Sequence, residues 1–343
     1  MNIGYRAQLV DPEQDGRRDV ASGGRWGIIL AGGEGTRLRP LTRLIAGDER
    51  PKQFCRVLDG ETLLERTHRR VALSVPHART LVMFTRAHRA FYAPLLDALP
   101  PQNTLVQPQN RGTAPAIQYS LLRLASLDPA ATVAIFPSDH YVSDDRRFMA
   151  HVDAAFELVR SRSEIVILLG IAPDASETGY GWIEPTNPIT ARTPGTLSGV
   201  EHFWEKPSPE VAERLYAQGC LWNSFVMVGR VATFLDMIAS TLPALCESFE
   251  ALRPLLGSPA EETALDVLYA SLPETNFSRE VLAAKPSALA VLPVVGVHWS
   301  DWGDPSRVLA TLGSIGIRPH WESGPHATPV PRPEPLGSNH RWR

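Results

Sequence analysis

Residues Trp26 to Phe54 read WGIILAGGEGTRLRPLTRLIAGDERPKQF. Trp26–Leu30 is a short apolar run of the kind that fills a central parallel strand. Gly32, Gly33 and Gly35 follow at once, and a backbone without a Cβ there can approach a ligand closely or take positive φ. Thr36, Arg37, Arg39, Arg43, Arg50 and Lys52 then supply hydroxyl, guanidinium and ammonium donors. Backbone amides and cations gathered at the carboxyl end of a strand make a phosphate cradle.

Two common phosphate loops do not fit. A Walker-type loop closes on Gly-Lys-Ser/Thr, whereas Gly35 is followed by Thr36-Arg37. A dinucleotide fingerprint needs a third glycine where Leu38 stands, and a carboxylate ending the second strand. The second apolar run, Leu81–Phe84, ends instead in Thr85-Arg86.

LAGGEGTRLRPLT followed by PKQF resembles the sugar-phosphate nucleotidyltransferases (nucleotide-sugar pyrophosphorylases), and PKQF is similar to their mannose-1-phosphate guanylyltransferase branch. Further matches extend the resemblance from about Trp26 to about Leu312. It implies an α/β, Rossmann-like, mostly parallel (mixed) sheet with helices on both faces, the GT-A-like nucleotidyltransferase fold. It also implies that Leu30, Ala31, Gly32, Gly33, Gly35, Thr36 and Arg37 bind a nucleotide, with Arg37 and Lys52 catalytic.

Composition agrees with this reading. The 343 residues suffice for a large core, and length alone suggests about two domains. A net charge of -3 argues against bulk binding to nucleic acid or acidic membranes, so any anion site must be local. Cys55, Cys220 and Cys246 lack metal-type or redox-type spacing, which suits reduced thiols and points to the cytoplasm. Neither an apolar stretch of membrane-spanning length nor a signal-peptide pattern is present.

Strands are expected at Gly27–Leu30, Thr80–Phe84, Thr104–Val106, Val133–Phe136, Ile165–Leu169, Val226–Val228 and Ala290–Val294. Helices are expected at Leu63–Val71, Ala114–Leu124, Phe148–Arg160, Pro209–Ala217, Val231–Ser240, Glu261–Ser271 and Pro305–Leu312. Such alternation implies a mostly parallel sheet covered on both faces. Residues 1–24 read as a flexible arm and 317–343 as a disordered Pro-rich tail. Between them lies a nucleotidyltransferase domain, 25–316, with a nucleotide half to about residue 140 and a sugar-phosphate half beyond it. Family members that carry a long β-helix or a fused isomerase domain are longer, so the chain resembles the family's minimal form, and a homodimer is its expected assembly.

Three further constellations carry chemistry. Ala134–His140, AIFPSDH, places Asp139 just past a strand, and Trp299–Asp304, WSDWGD, offers Asp301 after another. Mg²⁺ needs one or two carboxylates beside phosphate oxygens and waters, and the matching aspartates of the family hold that metal. His140 reads as a packing or hydrogen-bonding residue, because Mg²⁺ prefers oxygen. Asp304, directly before Pro305, reads as a helix cap.

Gln107–Pro115, QPQNRGTAP, lies between a strand and a helix, and its amides can meet a base edge. Gln107, Asn110, Gly112 and Thr113 are the candidates there, with Thr113 also a possible N-cap. The guanylyl branch usually shows a second Asn where this chain has Gly112. For the sugar phosphate the candidates are Gly181 in Thr178–Ile183, the Glu205-Lys206 pair, and Asn223; Tyr180 or Trp182 would line the pocket. The family usually has Gly after Asn-Ser, where this chain has Phe225, a ring able to narrow a sugar pocket.

The expected reaction joins a nucleoside triphosphate and a sugar 1-phosphate, with GTP and mannose 1-phosphate favoured. A sugar phosphate is largely ionised at pH 7, so its attack on the α-phosphorus needs no general base. Catalysis then reduces to alignment and charge stabilisation, with pyrophosphate leaving. The alternatives are uridylyl or adenylyl transfer to another sugar 1-phosphate, and a non-catalytic nucleotide-sugar-binding regulatory paralogue. Gly112 and Phe225 favour the latter; retention of Arg37, Lys52, Asp139 and Asp301 opposes it.

Overall fold

The computed structural model describes residues 23–58, 60–187, 196–319 and 321. Its strands, in chain order, are β1 (Arg25–Leu30), β2 (Thr80–Thr85), β3 (Thr104–Gln107), β4 (Thr132–Pro137), β5 (Tyr141–Val142), β6 (Val166–Ile171), β7 (Gly181–Pro185), β8 (Ser198–Glu205), β9 (Leu221–Arg230), β10 (Leu289–Val294) and β11 (Trp299–Ser300). Nine of them form one sheet in the order β3-β2-β1-β4-β9-β6-β10-β8-β7.

Side chains alternate across a strand, and that period divides the core. Ile28, Met83, Ile135 and Leu168 point to one face, against helices Thr113–Leu127, Val231–Thr241 and Glu261–Ser271. Their neighbours Ile29, Val82, Ala134 and Ile167 point to the other, against Leu63–Val71, Asp145–Ser161 and Pro209–Ala217. Burial on both faces is why these strands read as unbroken apolar runs. Each fully buried Ile or Leu contributes about 1.5–3 kcal/mol relative to exposure.

The sheet is mixed. β3, β2, β1 and β4 run parallel, as do β6 and β10. β9 is antiparallel to β4 and β6, and β7 and β8 add further antiparallel pairs. The sugar half is therefore less parallel than strand–helix alternation alone implies. β9 also joins the two halves into one sheet.

A third cluster lies beneath the glycine turn. There Leu38, Leu41, Cys55, Val57, Trp302, Val308, Leu312 and Trp321 pack together. Helix Arg39–Ala46, which is not among the expected helices, contributes Leu41. Trp321 is buried and its indole donates to Val57 O at 3.2 Å, so packed chain continues past residue 316. Residues 1–22, His320 and 322–343, which hold most of the expected arm and tail, lie outside the described residues.

Candidate active site

The glycine turn is held open from beneath. Gln53 Nε2 donates to Ala31 O at 3.0 Å and to Gly33 O at 2.9 Å, tying PKQF to the turn. Gly35 sits at φ +59°, where glycine avoids the Cβ clash, and starts the short helix Thr36–Leu38. Arg37 thereby stands exposed at the rim of a cavity of about 490 Å³. Arg39, Arg43 and Arg50 do not border it. Arg50 is paired with Asp48 at 2.7 Å, and Arg39 and Arg43 both face Glu49.

Lys52 is nearly buried rather than free in the cradle. Its ammonium donates to the carbonyls of Asp301 and Trp302 and lies 3.5 Å from Asp139. Those partners converge because β5 and β11 form a small antiparallel sheet, with Ser300 opposite Tyr141 and Trp299 opposite Val142. Asp139 enters that pairing and Asp301 leaves it. A register of two residues per strand thus brings together aspartates far apart in sequence.

Asp301 is tightly oriented. Its Oδ1 accepts from Gly303 N at 2.7 Å and from Arg307 Nη1 at 2.9 Å. Arg307 also reaches Glu177 at 2.8 Å and Asp304 at 3.3 Å, and lies over the Tyr180 ring at 4.2 Å. Asp304 caps helix Pro305–Ser314, as expected of a residue before proline. His140 packs edge-on to Trp299 at 5.3 Å, and burial pushes its imidazole down to about 4, keeping it neutral.

Two hard carboxylates border one cavity, with oxygens beyond those that bind Arg307 and Gly303. They fit the donor set of a Mg²⁺ whose remaining ligands are phosphate oxygens and waters. Among the described residues no group of three or more His, Cys, Asp or Glu side chains is arranged to hold a metal. A richer all-protein site is thus not formed there.

A second cavity, about 400 Å³, adjoins the first and shares Arg37, Asn110, Asp139 and Asp301 with it. At its nucleotide end, Thr85 Oγ1 donates to Gly32 O and accepts from Gln107 Nε2, both at 2.9 Å. That fixes the Gln107 amide, whose buried Oε1 has no partner among the described residues. Gln107 therefore presents an acceptor, suited to an N–H donor on a base edge. A Cβ on Gly32 would approach Gln107 Nε2 and Thr85 Oγ1 to 2.8 Å, so glycine is required there.

Gly112 has φ +83°, and a Cβ on it would collide with Thr275 O. Its departure from asparagine makes room for the segment after helix Glu261–Ser271. Thr275 N donates to Arg111 O at 3.0 Å, and Ala114 N to Thr275 O at 3.1 Å. Thr113 is not the N-cap; Gly112 is, and the Thr113 hydroxyl accepts from Phe277 N at 2.8 Å. Pinned in this way, the segment aligns Glu274, Asn276 and Ser278 along the cavity wall. None of the three carried a motif signal.

At the other end stand Gly181, Glu205, Lys206, Asn223 and Phe225. A Cβ on Gly181 would come within 3.1 Å of Glu205 Oε2. Burial raises the Glu205 carboxyl above the usual range, opposed by Lys206 at 3.6 Å. Tyr180 borders the cavity, whereas Trp182 is fully buried in the core and donates to Glu177 O. Ala31, read from sequence as nucleotide-binding, also borders neither cavity; its carbonyl is taken by Gln53.

Comparison with known proteins places this arrangement. The Nucleotidyl transferase family profile matches residues 26–311. The chain is 32% identical over 286 residues to the xanthan biosynthesis protein XanB of Xanthomonas campestris pv. campestris, covering 82% of this chain and 58% of that protein. It is 28% identical over 282 residues to a mannose-1-phosphate guanylyltransferase of Escherichia coli, covering 80% and 57%. A crystal structure described as a mannose-1-phosphate geranyltransferase of Thermus thermophilus superposes with a TM-score of 0.71 at 30% identity, covering 83% of this chain and 79% of that one. The chain thus spans a little over half the length of these two sequence relatives. With the profile spanning both cavities and the mixed sheet shared with a solved relative, the chain belongs to the nucleotidyl transferase family.

Proposed function

We propose that the chain transfers a guanylyl group from GTP to mannose 1-phosphate in the cytoplasm, giving a nucleotide sugar and pyrophosphate. The supporting observation is convergence. Arg37, Lys52, Asp139 and Asp301 border a cavity that opens directly onto the Gln107 acceptor at one end and the Glu205-Lys206 pair at the other. A triphosphate laid along the glycine turn would meet a sugar phosphate coming from the β7–β9 side.

In this reading the turn and Arg37 bind the β- and γ-phosphates, and Arg37 neutralises charge as pyrophosphate leaves. Lys206 holds the sugar phosphate, while Glu205 and Asn223 accept and donate to sugar hydroxyls. Lys52 holds the Asp301 loop against Asp139 and presents positive charge near the α-phosphate. Asp139 and Asp301 would hold a Mg²⁺, which when bound would supply charge neutralisation for the phosphates. The incoming phosphate is already ionised, so the residues align and stabilise rather than deprotonate.

Pyrophosphate release tests the proposal. GTP, ATP, UTP and dTTP are each paired with mannose 1-phosphate and glucose 1-phosphate. Release confined to GTP with mannose 1-phosphate supports it. Release with another pair moves the specificity, and none with any pair leaves a nucleotide-sugar-binding regulator.

A further inference from the structure

Strand β9 bulges where it passes the cavity. Leu168 on β6 faces Met227, but Gly170 faces Asn223, so Leu169 alone stands opposite Ser224, Phe225 and Val226. Such a bulge re-aims a side chain. Ser224 fills it, its hydroxyl donating to Leu169 O at 2.6 Å and accepting from Val226 N at 3.2 Å. Asn223 Oδ1 accepts from Phe225 N at 3.1 Å and closes the turn.

The residue at the apex is strained. Phe225 has φ +61°, a region that glycine occupies freely and an aromatic residue almost never does. Its half-buried ring packs on the core face carrying Phe203 and Val281 and borders the cavity beside Gly181, Glu205 and Asn223. Backbone strain persists where surrounding structure over-determines it, and it gathers at ligand sites. A glycine would form the same bulge without strain, so the ring is what the strained backbone supplies.

We infer that Phe225 is a specificity-determining residue whose ring limits the hexose end of the cavity, admitting unsubstituted hexose 1-phosphates and excluding 2-acetamido hexose 1-phosphates. This rests on the sugar-phosphate reading above. An apolar face there also suits the C–H face of a pyranose, and a rigid ring excludes added bulk on steric grounds.

Phe225→Ala and Phe225→Gly test it together. Both remove the ring, and only Gly relieves the backbone. Phe225→Gly is expected to have a higher Tm than Phe225→Ala, the reverse of the order in an ordinary strand. In both variants the kcat/KM ratio of mannose 1-phosphate over N-acetylglucosamine 1-phosphate is expected to fall by about tenfold or more. Calorimetric titration of each sugar phosphate, alone and with α,β-methylene GTP, reads the same preference without turnover. An inactive wild type with Phe225-dependent binding preference would remove the catalytic reading and keep this one. An unchanged preference in Phe225→Ala, a wild type that binds neither sugar phosphate, or Ala more stable than Gly would overturn it.

Discussion

Lys52 and Arg37 show how two cations of one sequence run come to differ. Both were read as phosphate ligands of the same cradle. Lys52 is nearly buried and satisfies two carbonyls beside Asp139, whereas Arg37 stands exposed at the rim. Arg37→Ala should therefore lower kcat by about 10²–10³, the scale of one preorganised charge-stabilising donor. Its urea midpoint should match wild type. Lys52→Ala should lower activity and also lose about 1–3 kcal/mol of stability, because the Asp301 and Trp302 carbonyls lose their donor. Steady-state kinetics and urea unfolding of both variants separate the roles; equal stability of the two would show that Lys52 is only a ligand. Strain follows the same map. Among the described residues Lys206, Phe225 and Trp302 are the non-glycine residues with positive φ, and all three lie at or against the cavity.

At the scale of elements, a signal in the sequence tracked how much of a segment's conformation its own residues determine. Helix Leu63–Val71 was readable to the residue because Thr62 and Glu65 form a capping box at its start. Pro209–Ala217 likewise begins on Ser208 with proline in its first turn. β5 and β11 have two residues each and no period to read, yet their pairing builds the aspartate site. The segment 273–277 was equally silent, since its position is set by bonds to Arg111, Thr113 and Ala114 rather than by its own residues. Gly112 makes that contact possible. Gly112→Ala should push the segment away from the base end, destabilising the protein by about 2–4 kcal/mol through clash and positive φ. The nucleotide KM should rise more than the sugar-phosphate KM. Equal effects on both KM values, or none, would show that the segment does not shape the base end.

Across the whole molecule, the apolar runs that announced a two-faced sheet were reliable because burial on both faces leaves no room for polar residues. Direction was not readable in the same way. An antiparallel β9 buried between β4 and β6 has the same apolar run as a parallel strand would. No helix among the described residues is long and apolar enough to cross a membrane. Packing on this scale also sets the response to acid. His88 is buried beside the Phe54 ring, and His68 lies against His77; burial lowers both imidazoles below their ordinary value of 6.5, with His77 adding to the effect at His68. Below that value the unfolded chain takes up protons that the folded chain refuses. The unfolded state then binds more protons, so stability falls as pH falls. Urea midpoints measured from pH 7.5 down to pH 5.5 should decline, and His88→Gln should make the decline shallower by removing one contributor while His68 and the more strongly depressed His140 remain. A flat or rising midpoint across that range, or an identical slope in His88→Gln, would show that these imidazoles accept protons in the folded protein as readily as in the unfolded one.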